Sequence, residues 1–119
     1  MADISDSLKE LLSIGGATAV ALVDSESGML LGKDGSGVDL ELASAVNTEV
    51  VRAKHRAIES LGLNDEIEDI LITLGKQYHI IRPLEDNKFL FIYLVLDKKE
   101  ANLALARMKV TSVGKAMSI

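Results

Sequence analysis

The chain has 119 residues, 13 Lys and Arg against 18 Asp and Glu, and no cysteine. That length suits a single domain, here taken as 1–119, which buries a core without metal or disulfide. A net charge of −5 argues against nonspecific nucleic-acid binding, which needs a basic face, and the lack of cysteine removes thiolate chemistry.

The first helix is expected over Asp3 to Ile14, where Ile4, Leu8, Leu11 and Leu12 share a face. Asp3 or Ser5 can cap it, and Gly15-Gly16 ends it. "ATAVALVD" (17–24) is a continuous apolar run, as in a strand covered on both faces, and "MLLG" (29–32) is its hairpin partner. The glycines of "GKDGSG" (32–37) lack the P-loop pattern and read as a connector. A long helix follows from Asp39 to Leu61, capped by Gly62.

Three strands come next, within "EIEDILITLG", "KQYHIIRPL" and "NKFLFIYLVLD", joined by linkers short enough to force antiparallel hairpins. Asp97 and Glu100 form a capping box for the last helix, which runs through "ANLALARMKVTSVGKAM". The longest apolar run, 89–96, is too short to span a membrane, and "MADISDSLKE" lacks the basic start of a signal peptide. A cytoplasmic protein is expected.

The two apolar strands, 17–24 and 89–96, belong at the centre of the sheet, and acidic "EIEDILIT" at an edge. The resulting order is 2-1-5-4-3. Helices cover both faces: the fold class is an α/β three-layer sandwich (α+β, profilin-like), with the long helix on one face and two helices on the other. On the central strand, Phe89, Phe91 and Tyr93 share a face, met by Ala17, Ala19 and Ala21 of its neighbour.

Catalytic and metal-binding patterns are not found. His55 and His79 have no metal-ligand spacing, no serine sits in a G-x-S-x-G elbow, and Asp65, Glu66, Glu68 and Asp69 read as a solvated edge. No enzyme activity and no cofactor are expected. The surfaces are more informative. The apolar arc of the long helix spans about 180°, wider than the ~100° one sheet face requires. Leu42, Val46, Val50, Ala53 and Ala57 are taken to face the sheet. Leu40, Asn47, Val51, Lys54 and Ile58 are taken to face a second copy, with Ile70 and Ile72 of the edge strand joining the interface. On the last helix, Ala101, Ala104, Leu105, Met108 and Ser112 form a stripe suited to the sheet. Leu103, Val110, Val113 and Met117, with Ala106, form a second stripe left for a partner.

Three stretches in order carry a family resemblance: "LLSIGGATAVALVDSESGMLLG", "EIEDILITLGKQYHIIRPLEDNKFLFIYLVLD" and "ANLALARMKV", the last with Asn102, Leu103, Ala104 and Arg107. Over about residues 4–113 the chain resembles the Roadblock/dynein light-chain family, in its bacterial or archaeal single-domain form. The tail "TSVGKAMSI" matches nothing distinctive. The resemblance implies a five-stranded antiparallel sheet between one long helix and two others, with dimerisation through the long helix and third strand. It implies a non-enzymatic regulator or scaffold for small Ras-like GTPases, with no catalytic or nucleotide-binding residues to carry over. The alternatives are a structural adaptor of a larger complex without a GTPase, and a small-ligand-binding profilin- or PAS-like module. The latter needs a cavity between sheet and long helix.

Overall fold

The computed structural model describes residues 3–117; the first two residues and the last two of the tail lie outside them. Helix α1 is Ile4–Leu12, capped by Asp3, whose carboxylate accepts the Asp6 amide at 2.8 Å. Then come β1 (Ala17–Asp24), β2 (Met29–Gly35), α2 (Leu40–Ser60), β3 (Ile70–Thr73), β4 (Gln77–Pro83), β5 (Leu90–Asp97) and α3 (Leu103–Ala116). The strands form one five-stranded antiparallel sheet in the order β2-β1-β5-β4-β3, as the hydrophobic pattern predicts.

The central position of β5 follows from its composition, since every residue from Leu90 to Leu96 is buried. Alternate residues feed two cores. Ile92, Leu94 and Leu96 join Val20 and Leu22 under α1 and α3. Phe91, Tyr93 and Val95 join Ala19, Ala21 and Val23 under α2. Register pairs Tyr93 with Ala21 and Val95 with Ala19, so large residues stand beside small ones as expected. Two residues depart from that pattern. Irregular pairing between Ala17 and Ala19 turns Ala17 to the α1 and α3 side, and Phe89 precedes the strand and is 55% exposed.

The end of β2 requires glycine. Gly35 has φ +88°, and a Cβ there would run into the Thr18 carbonyl of β1. The start of α3 is also displaced from its expected place. Asn102 is the cap, accepting the Leu105 amide at 3.1 Å, whereas Asp97 closes a separate turn by accepting the Lys99 amide at 3.0 Å. That turn passes over Gly16, whose carbonyl accepts the Asp97 amide at 2.7 Å, and the helix starts only beyond it.

Candidate interaction surface

Helix α2 begins at Asp39, whose carboxylate accepts the Leu42 amide at 3.1 Å. Its sheet side carries Leu40, Ser44, Asn47, Thr48 and Val51, all buried. Three of these are polar, yet the two hydroxyls carry no unmet hydrogen bond. Ser44 Oγ donates to the Leu40 carbonyl at 2.6 Å, and Thr48 Oγ1 to the Ser44 carbonyl at 2.7 Å. With those bonds made inside the helix, small side chains let α2 lie close to Ala19 and Ala21.

This reverses the arcs expected from sequence. Leu40 (4% exposed), Asn47 (8%) and Val51 (0%) pack against the sheet, while Leu42 (61%) and Val46 (54%) stand in solvent. Ile58 is half-buried and Lys54 exposed. The physical reason is that a helix surface of Ser, Thr and Asn reads as polar, although back-bonded hydroxyls bury at little cost. The residues available to a partner are therefore Leu42, Val46, Val50, Ala53 and Ala57, within about 100° of one another on the helix wheel.

The two flanks of α2 differ. On the β2 side, Arg52 Nε donates to the Ser25 carbonyl at 2.9 Å and its Nη2 to the Glu26 carbonyl, tying the helix to the β1–β2 turn. On the other side, Ala43 and Val50 border the core, as do Ile70 and Ile72 of β3. Among the described residues strand β3 pairs only with β4, so its outer edge presents free backbone donors and acceptors. It is shorter than expected: the acidic residues ahead of it stand outside the ladder and meet cations. Arg107 grips both oxygens of Asp69 at 2.9 and 2.8 Å, Glu66 pairs with Lys88, and Arg82 reaches the Glu68 carbonyl at 3.3 Å.

Beside β3 a chain of polar groups crosses the α2 side of the sheet. His79, opposite Ile72, bonds Gln77 Oε1 through Nε2 at 2.9 Å and the Tyr93 hydroxyl through Nδ1 at 3.1 Å. The two rings meet edge to face, their centroids 5.4 Å apart. With Gln77 Oε1 accepting, the proton sits on Nε2, so Nδ1 accepts from the tyrosine. Burial holds the His79 pKa below the ordinary 6.5, so the ring is neutral at pH 7. Burial pushes the Tyr93 phenol up, and a hydrogen bond from Asn47 works against that shift. Both imidazole nitrogens are already engaged, which leaves no lone pair for a metal or substrate. Among the described residues no cluster of His, Cys, Asp and Glu is placed to hold a metal ion, and no helix is long and apolar enough to cross a membrane.

Helix α3 is turned in the same way as α2. Val110 (1% exposed) and Val113 (3%) lie in the core with Ala106, bordered by half-buried Leu103 and Met117. The stripe expected to meet the sheet faces solvent instead, with Leu105 61% and Met108 67% exposed. Here the pattern misleads because both stripes are apolar. The β-branched, bulkier one fills the space beside Ile92 and Leu84, where a Cβ on Gly114 would meet both at 3.5 Å.

A five-stranded sheet of this order, with a long helix on one side and two on the other, is the Roadblock/LC7 fold. The Roadblock/LC7 domain from Streptomyces avermitilis superposes with a TM-score of 0.82 at 11% identity, over 97% of this chain and 94% of that one. Myxococcus xanthus MglB gives 0.79 at 16% identity over 93% and 90%, and the gliding protein MglB of Thermus thermophilus gives 0.81 at 16% over 94% and 83%. By sequence the chain matches no family model and no curated protein.

Proposed function

We propose that this chain is a homodimeric, non-enzymatic regulator or scaffold for a small Ras-like GTPase, working in the cytoplasm. The observation that carries the reading is the apolar flank of α2, Leu42 to Ala57, lying on the same side as the open edge of β3. Two copies paired antiparallel through β3 form one continuous sheet and bring both α2 flanks together over it. Twofold pairing lets each copy cover the other's exposed surface, and a buried Leu or Val side chain contributes about 1.5–3 kcal/mol. The GTPase role is supported by the Roadblock resemblance of the sequence and by the fold shared with the MglB structures.

The test has two parts. Light scattering gives the mass in solution; a dimer is expected, and a monomer at tens of micromolar removes the first half of the reading. Mixing with small Ras-like GTPases from the same genome, with affinity and GTP turnover measured, tests the second half. A dimer that binds none of them in either nucleotide state points to a structural adaptor. Ala21, Val23, Val51 and Phe91 beneath α2 are all 0% exposed, which speaks against the small-ligand reading.

A further inference from the structure

A long groove opens at the end of the sheet where β1 and β4 finish and β5 starts, with a volume of about 1210 Å³. One wall is the C-terminal half of α2, another the β4–β5 turn, and the third the connecting segment 63–68. Half-buried Ile58 and Ile67 line it together with Leu63 and Phe89, which are 54% and 55% exposed. Leu63 and Phe89 thus leave large apolar side chains in contact with solvent within one concavity.

The charges around the groove are one-sided. Glu66 is paired with Lys88 and Glu85 with Arg82. Glu26, Glu59, Asp65, Glu68 and Asp86 have no ion-pair partner among the described residues. They are opposed by Arg56 and by Arg52, which is already committed to the β1–β2 turn. The backbone of the third wall is partly engaged: the Leu63 amide donates to the Ile58 carbonyl at 3.1 Å, the Glu66 amide to Asp65 Oδ1 at 2.8 Å, and the Glu68 carbonyl accepts from Arg82. Residues 64–69 belong to no helix or strand and, among the described residues, make no backbone–backbone hydrogen bond in any turn, loop or cap. The wall is nonetheless held in place, by Arg107 on Asp69, Lys88 on Glu66 and Arg82 on the Glu68 carbonyl.

We infer that this groove binds an extended peptide segment of a partner protein in which Lys or Arg alternates with apolar residues. The apolar side chains enter between Ile58, Leu63, Ile67 and Phe89, and the cations meet the uncompensated carboxylates along the groove. The groove's size suits several residues of peptide. The inference does not depend on dimerisation or on a GTPase, since it uses a different part of α2 and the chain ahead of β3.

The test uses the full chain and two fluorescent ten-residue probes, one alternating Lys and Leu, the other Glu and Leu. Anisotropy should show micromolar-range binding of the lysine probe and at least tenfold weaker binding of the glutamate probe. Amide shifts should cluster at 55–68 and 82–89. Glu59→Lys with Glu68→Lys should weaken the lysine probe at least tenfold. Asp6→Lys with Glu100→Lys, the same charge change at exposed sites outside the groove, should leave it within twofold. Leu63→Ser with Phe89→Ser should also weaken it, with the circular dichroism melt reporting that the fold survives. Equal loss in both charge pairs means general attraction to an acidic protein and overturns the inference. So do shifts centred elsewhere, equal binding of the two probes, or concentration-dependent shifts without probe centred on 63–68 and 82–89, which make a second copy the occupant.

Discussion

Val51 and Val46 sit five residues apart on one helix and have opposite surroundings: one is 0% exposed against the sheet, the other 54% exposed in solvent. The same contrast recurs on α3 between Val110, at 1%, and Leu105, at 61%. In each helix hydrophobicity alone fails to say which stripe faces inward. The sheet selects the stripe whose shape fits. Beneath α2 the sheet offers alanines and accepts Ser44 and Thr48; beneath α3 it offers isoleucine and leucine and accepts valine.

The contrast on α2 can be broken most forcefully by Val51→Asp. An unpaired carboxylate against Ala21 and Phe91 should cost roughly 3–5 kcal/mol, abolishing or nearly abolishing the cooperative urea transition. Val46→Asp should leave the protomer's stability within about 0.5 kcal/mol yet shift the light-scattering mass to monomer. Equal destabilisation by the two would mean the helix is turned otherwise. On α3, Val110→Ala should lower stability by about 1–2 kcal/mol and Leu105→Ala by less than about 0.5, read from the same denaturation midpoints. Asn102→Ala should cost about 1 kcal/mol by removing the cap on Leu105, and more than Asp97→Ala, which tests where α3 starts.

The smallest effect concerns the polar chain at the margin between the two faces of α2. His79 has a folded-state pKa below its unfolded value of 6.5, so the unfolded chain takes up the proton first. Stability contributed by neutral His79 is therefore present above pH 6.5 and lost as pH falls from there towards the folded pKa. The melting temperature of the parent should drop between pH 7 and 5.5 by more than that of His79→Gln. Parallel pH profiles would show that the ring is indifferent to its contacts with Tyr93 and Gln77.

The sheet was readable in the chain because its signal is redundant. Period-2 alternation, continuous apolar runs at β1 and β5 and short linkers all lead to one strand order. The caps at Asp3 and Asp39 were readable because a carboxylate three residues before a free amide has a local geometry that the fold does not alter. The arcs of α2 and α3 were not readable, since they depend on the opposing surface, and on back-bonding that makes serine and threonine behave as apolar residues. The length of β3 was hidden for a related reason. Glu66 and Asp69 read as the start of the strand, but they stand outside the ladder and meet Lys88 and Arg107, distant in sequence. The groove beside them was likewise out of reach, being assembled from α2, the 63–68 segment and the β4–β5 turn.

Strand β3 is only four residues long. In any twin built along it, so brief a border holds few rungs, and rungs between main chains are indifferent to side-chain identity. Choice of mate then falls to the helix alongside. A relative with an identical border but a charge in place of Val46 would be turned away, so two turns of one helix would keep sister chains in the same cell sorted into their own pairs.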